Sequence, residues 1–450
     1  VKGLGLFDST TLVVGTMIGS GIFIVSADIA RQVQSPGLLI MVWAVTAIIT
    51  LAAALSYGEL AAAMPQAGGQ YVYLREAFGP MSGFLYGWTL FLVIQTGTIA
   101  AVAVAFAKFA GVFFPWISAG NYLVGAGRVG VTTQQFVAIL LLLVVTFINT
   151  RGVRAGAIFQ NIFTAAKVTG VLGLIAMGVF FGRNPEAITR NFDHFWGGAD
   201  WGWSTIRIIG VAMVGSLFSA DAWNNITFTA GEVRNPRRNL PLSLVLGVGI
   251  VMVLYLSCNF VYLAALPFEG IQHAAEDRVA TAVASSILGP IAVKLMAIAI
   301  MISTAGCVNG LTLMGARVYY AMALDGLFFK AVGKLDAKRG APVISLVLQC
   351  IWACLLTLSG RYGDLLDYVI FAVLLFYILT IAGIFVLRVK RPDMERPYKA
   401  VGYPVLPAIY ILAGTTIEVL LLLYKPNYTW PGLIIVLVGI PAYYLMRRVG

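Results

Sequence analysis

Twelve apolar runs, each near the length of a bilayer crossing or longer, follow one another along the chain at residues 10–34, 38–64, 81–114, 132–150, 157–182, 205–230, 240–266, 280–322, 342–359, 364–388, 404–424 and 430–446. A crossing takes about 20 mostly apolar residues. A chain that is 60% hydrophobic and 11% charged has too little polar surface to cover a soluble globule. The reading is therefore an all-α integral membrane protein with twelve transmembrane helices. The runs 81–114 and 280–322 exceed the bilayer thickness and should tilt or project into water. No cleavable leader is expected, because the first run passes straight into glycine-rich sequence with no small-residue cleavage pattern.

The net charge of +11 sits in short loops between apolar runs, so no nucleic-acid partner is expected; the lipid bilayer is the implied surroundings. Alternate loops collect eighteen Lys and Arg on the side of the termini, among them Arg151, Arg154, Arg237, Arg238, Lys338, Arg339 and Lys390. The other side holds seven: Arg31, Arg128, Arg183, Arg190, Arg278, Arg361 and Lys425. This bias places both termini in the cytoplasm. Four cysteines (Cys258, Cys307, Cys350 and Cys354) all fall inside apolar runs, which reads as packing rather than a disulfide or metal framework.

The first and sixth runs are interrupted at matching depth. The first contains Gly15-Thr16-Met17-Ile18-Gly19-Ser20-Gly21-Ile-Phe23, and the sixth contains Gly215-Ser-Leu-Phe218-Ser219-Ala-Asp221-Ala-Trp223-Asn224-Asn225. Breaks in corresponding positions of two five-helix halves point to an inverted-repeat transporter with its site near the midplane. Residues 1–190 would then be the first repeat with its connecting loop, 191–392 the second, and 393–450 a peripheral pair.

Unwinding is tolerated in a membrane only beside protein or a wet cavity. At Thr16 to Gly21 it would free N–H donors at the positive end of the second half-helix, a site for a small carboxylate. Carbonyls freed there and near Phe218, Ser219 and Asp221 suit an ammonium group. Carboxylate and ammonium so close together describe an α-amino acid. The plainer alternative is that Gly15-x-x-x-Gly19 merely packs helices.

An ionisable side chain at bilayer depth costs about 3 kcal/mol or more and so needs a reason. Lys167, within Thr164-Ala-Ala-Lys-Val-Thr-Gly170, should face the bundle and touch carbonyls of the first helix. It would replace a coupling cation, carry a proton, or simply tie helices together. Asp221 either caps the second half-helix or walls the substrate. Asn309 is a candidate hydrogen-bonding residue, Glu59 a loop contact, and Phe218 an aromatic that could close over a ligand. Glu418 has no evident role.

These residues resemble the amino acid–polyamine–organocation superfamily, and within it the L-type amino acid transporters and bacterial serine/threonine exchangers. Besides Gly15 to Phe23, the likeness covers Tyr57-Gly-Glu-Leu60, Met64 to Gly79, Trp223-Asn224, Glu232 to Pro241, Val308-Asn-Gly310, Ala316 to Gly326, Glu395 to Lys399 and Tyr403 to Pro407. The resemblance implies a LeuT-like 5+5 inverted repeat and sodium-independent exchange of L-amino acids in the plasma membrane. Carried over by position, Met17, Ser20 and Gly21 meet the substrate's carboxylate and amino group. Phe218 is the gating aromatic, and its carbonyl with that of Asp221 receives the ammonium. Lys167 stands where sodium sits in sodium-coupled relatives, and Ile94 and Thr98 line the pocket. Bacterial relatives often read Tyr-Asp-Gly-Trp-Asn where this chain has Ala220-Asp221-Ala222-Trp223-Asn224. That change reshapes the wall and narrows the backbone's freedom at Ala222.

An enzyme is the rival class, but the two histidines, His194 and His273, fall in loops and no H-E-x-x-H or Asp-rich motif occurs. No cofactor or metal is expected. No acidic residue in the pocket besides Asp221 suggests a cationic side chain, and no extra Arg or Lys an acidic one, so small or medium neutral L-amino acids are the expected substrates. Proton-coupled symport through Lys167 is the alternative. The residues speak neither for nor against an accessory subunit.

Overall fold

The computed structural model describes residues 3–125, 130–359 and 362–449. Arg128 and Arg361 lie outside the described residues. Among the described residues the regular structure is helical apart from one small antiparallel pair, Tyr122–Val124 with Val131–Thr132, and a single parallel bridge between Leu4 and Val233.

In chain order the main helices are α1 (Leu6–Met17), α2 (Gly21–Val33), α3 (Pro36–Ala63), α4 (Gln70–Phe78), α5 (Pro80–Ala110), α6 (Thr133–Thr150), α7 (Val153–Phe180) and α8 (Pro185–Asp193). They continue as α9 (Trp203–Ser219), α10 (Pro236–Ala265), α11 (Val279–Leu288), α12 (Ile291–Leu324), α13 (Val343–Ser359), α14 (Tyr362–Lys390), α15 (Val405–Tyr424) and α16 (Pro426–Val449). By length and apolarity ten of the described helices can cross a membrane, or eleven when α1 and α2 count as one bent span. The chain is thus a multi-pass membrane protein. The run 342–359 folds as α13, whose 17 residues reach about 25 Å, a little short of a ~30 Å hydrocarbon core.

The long runs differ from expectation in one respect. Run 81–114 becomes α5, continuous but with a single π turn at Leu90–Ile94. Run 280–322 is not one long helix. It divides at Gly289, with φ +67°, and Pro290. A positive φ cannot continue a right-handed helix, and a proline lacks the N–H that the next turn needs.

The outer face identifies its solvent. Leu140, Leu143, Val144 and Phe147 on α6, Ile250, Val253 and Phe260 on α10, and Leu412, Val419 and Leu423 on α15 all project outward. Rows of exposed aliphatics on otherwise well-packed helices mark a lipid-facing surface. Inside, Trp43, Tyr57, Trp223 and Tyr377 are buried, and the last three meet edge to face or tilted across α3, α14 and the exit of the second break.

Polar contacts hold the ends. Glu59, at the end of α3, accepts two guanidinium N–H groups of Arg388 at 2.6 and 3.0 Å and the Ala400 amide at 2.7 Å. It is a loop contact, as the sequence reading has it. Before α9, the exposed carboxyl of Asp200 is pulled down to about 2 by the Ser204 hydroxyl, the Gly202 amide and the Thr205 hydroxyl. These bonds fix where the helix leading to the second break begins.

Candidate functional site

The first break runs from Met17 to Gly21, with α1 and α2 bent 42° apart. Nearly every carbonyl in it has a partner. The Lys167 ammonium donates to Gly15 O, Ile18 O and, from α12, Ser303 O, each at 2.8 Å. The Cys307 thiol reaches Thr16 O at 3.1 Å, and the Ser303 hydroxyl lies 3.0 and 2.9 Å from Ile18 O and Gly19 O. On the other side of the break α2 starts at Gly21. The first amides of a helix lack intrahelical partners and sit at its positive end.

The three glycines do different work. A Cβ at Gly15 would run into Gln160 and Thr164 of α7, so this position is helix packing. A Cβ at Gly19 would make only an ordinary 3.5 Å contact with Cys307 Sγ. A Cβ at Gly21 would overlap Ser219, the last residue of α9. Gly21 is therefore what lets the two breaks touch.

The second break starts after Ser219. Ala222 takes left-handed dihedrals, φ +66° and ψ 6°, which cost a residue with a Cβ about 1–2 kcal/mol. From there the segment Trp223–Glu232 winds as 3₁₀ turns rather than as an α-helix. Thr227 and Thr229 hydroxyls donate to the carbonyls of Asn224 and Ile226, an alternative to helical pairing. Asp221 does not cap this segment. Its carboxylate accepts the Tyr377 hydroxyl at 2.6 Å, while its own amide donates to Phe218 O at 3.2 Å. Beyond it, Asn224 donates to Gln70 at 2.7 Å and Asn225 to Gln95 at 3.3 Å.

Thr16, Met17, Gly19, Ser20, Gly21, Thr98, Phe218, Ser219 and Asp221 converge on one cavity of about 20 Å³. That is the room of a water molecule, so an amino acid enters only when the surrounding helices part. Ile94 lines a second chamber of about 10 Å³, which shares Thr98 and Asp221 with the first. Two candidates do not face the cavity. Ile18 contributes a carbonyl to Lys167 and Ser303 instead. Asn309 is fully buried away from it, bonded to Asn149, Gln160 and Gly156 of α6 and α7, so its amide ties helices rather than lining the pocket.

The sequence reading missed Tyr255 of α10, whose hydroxyl lies 3.0 Å from Met17 O and 3.1 Å from Ser219 O. It joins the two breaks, yet a tyrosine in an apolar run carries no signal of that. Tyr255→Phe keeps the ring and removes the one O–H that the two carbonyls share, at about 1–3 kcal/mol. The expected outcome is a roughly 10-fold rise in half-saturation for transport with unchanged expression, measured by labelled uptake in vesicles.

Two opposed helix breaks, a lysine clamp and an enclosed polar cavity belong to a carrier rather than to a catalyst. The amino acid permease family matches residues 4–442. The chain belongs to that family. Among this permease's relatives, the mouse b(0,+)-type amino acid transporter 1 is 30% identical over 446 residues, covering 99% of this chain and 88% of the relative. The human large neutral amino acids transporter small subunit 2 is 30% identical over 452 residues, covering 99% and 80%. The permease is a membrane transporter and not an enzyme.

Proposed function

We propose that this permease is a sodium-independent secondary transporter that exchanges small or medium neutral L-amino acids across the plasma membrane by alternating access. The observation that carries the reading is the Lys167 ammonium held by Gly15 O, Ile18 O and Ser303 O. A fixed positive charge from the protein bridges the first break to α12, so no dissociable cation is required to join them. The head of α2 offers amides to a carboxylate, and Asp221 and the carbonyls at the second break face an ammonium. The architecture in this reading is twelve spans with a LeuT-like pair of inverted repeats, 1–190 and 191–392, a peripheral pair in 393–450, and both termini cytoplasmic. The names of the relatives, a large neutral amino acids transporter among them, support amino acids as the substrate and neutral ones in particular.

The test is uptake of labelled serine, alanine and leucine into sodium-free proteoliposomes, with and without unlabelled amino acid inside. Uptake confined to loaded vesicles is the expected outcome. Uptake into empty vesicles that grows with an inward proton gradient would select symport instead, a reading favoured by the burial of Lys167, only 2% exposed.

A further inference from the structure

Thr98, Asp221 and Ala222 line both chambers, which therefore meet at the left-handed turn of the second break. The two differ in kind. The first is walled largely by the broken backbone, and no described side chain lining it is a carboxamide. The second gathers four: Gln70 of α4, Gln95 of α5, and Asn224 and Asn225 of the second break. All four are buried, each at most 3% exposed. Leu90, Ile94, Leu311 and Val373 supply its apolar wall.

These amides are held in place but not used up. Gln70 Nε2 donates to Thr380 Oγ1 of α14 at 3.0 Å, and Gln95 Nε2 to Leu311 O of α12 at 2.8 Å. Asn224 and Asn225 donate in turn to the oxygens of Gln70 and Gln95. An amide nitrogen carries two hydrogens, and its oxygen has two lone pairs. Among the described residues each of the four nitrogens makes one hydrogen bond, so one N–H of each remains. Leftover N–H groups at bilayer depth are costly unless something comes to bond them.

An amino acid with its carboxylate at the head of α2 and its ammonium beside Asp221 has its backbone in the first chamber. Its side chain is then left the second, past Thr98 and Ala222. Both chambers are contracted to the size of a water, and with three lining residues in common the movement that widens one widens the other. Apolar walls suit one or two methylenes, and the amides suit a group that both donates and accepts. Neither Lys, Arg nor His is among the described lining residues, so a side-chain carboxylate finds no counter-charge.

We propose that the second chamber is the side-chain subsite and selects a terminal carboxamide, so that L-asparagine and L-glutamine are preferred to apolar amino acids of the same size. The oxygen of the incoming amide accepts leftover N–H groups, and its nitrogen donates to the remaining lone pairs of Gln70 and Gln95. Leucine or methionine would bury the same groups without a partner. A site built to hydrogen-bond a group rejects the analogue that lacks it for this reason.

The inference rests on the amino acid reading of the first chamber, and the experiment separates the two. Half-saturation is measured for labelled alanine, asparagine, leucine, glutamine and methionine in loaded, sodium-free proteoliposomes. Asparagine and leucine are close in size, as are glutamine and methionine, so each pair isolates the amide. The amide of each pair is expected to have a half-saturation at least about 10-fold lower. Gln95→Met and Asn225→Leu keep the volume and remove the amide, and each should shrink both preferences at least about five-fold. A preference is a ratio within one variant, so a general loss of folding or expression cancels from it. Should neither variant reach the membrane, the γ-methyl ester of L-glutamate, which accepts but cannot donate, is tested as a competitor against the unmodified protein. It should compete at least about five-fold more weakly than glutamine. Equal or better handling of leucine and methionine, undiminished preference in both variants, or equal competition by the ester overturns the proposal. Alanine exchange without any amide preference would defeat the subsite and leave the first chamber's reading standing. Failure of all five amino acids to be taken up overturns both.

Discussion

Lys167→Ala is expected to lower exchange at least about 30-fold, the largest loss of any single side-chain truncation in the pocket region. An ammonium has three N–H donors, and in this chain all three are spent, on Gly15 O, Ile18 O and Ser303 O at 2.8 Å each. Truncation removes three charge-assisted hydrogen bonds in a fully buried place, at about 1–3 kcal/mol apiece, although Ile18 O keeps the Ser303 hydroxyl. Even two of them, at the low end, amount to about 2 kcal/mol, which is more than ten-fold in rate or affinity. Lys167→Arg should fail nearly as badly. A planar guanidinium cannot aim three donors at carbonyls that converge on one point. The measurement is labelled amino acid exchange into loaded, sodium-free vesicles, with thermal unfolding followed alongside. Unimpaired exchange by Lys167→Ala would remove the observation on which the sodium-independent reading stands.

Lys167 was legible in the sequence because a lone charge in an apolar run has few places to go. The first break was legible for a similar reason: three glycines in seven residues are a local signal, and the break they make is local too. The second break was visible only in outline. Its polar residues announce an interruption, but the 3₁₀ path and the left-handed Ala222 depend on how Thr227, Thr229 and Tyr377 find partners after folding. Side chains that close the pocket from other helices left no trace. Ser303, Cys307 and Tyr255 are unremarkable in membrane helices, and they meet the first break from more than 200 residues away in the chain. Asn309 shows the converse, since a buried amide looks the same in sequence whether it faces a ligand or a neighbouring helix. Gly289-Pro290 was overlooked because apolar residues on both sides make one run of two helices.

Gly21→Ala is the second large expected effect, and its contrast with Gly19→Ala tests the contact between the breaks. Both glycines border the cavity, and neither has a positive φ. Backbone freedom therefore does not distinguish them, and the space around each does. An added Cβ at Gly19 meets only Cys307 Sγ, at 3.5 Å. At Gly21 it would lie well inside contact distance of Ser219 Oγ, 2.7 Å from Ser219 Cβ and 3.1 Å from Ser219 Cα. A rotamer change at Ser219 cannot relieve the last two distances, so α2 and α9 must separate. Overpacking of this kind costs about 1–3 kcal/mol. It also pulls the two breaks away from their shared Tyr255 hydroxyl. Exchange by Gly21→Ala should fall about 10- to 100-fold, and by Gly19→Ala less than about three-fold. The origin of the loss can be read from the partner. Adding Ser219→Ala to Gly21→Ala removes Oγ but keeps the Cβ overlap, and should restore little. Adding Ser219→Gly leaves only the 3.1 Å approach to Cα, and should restore most of the exchange. Equal rescue by both second-site changes would mean that the serine hydroxyl, rather than the close approach of the two helices, sets what Gly21 is for.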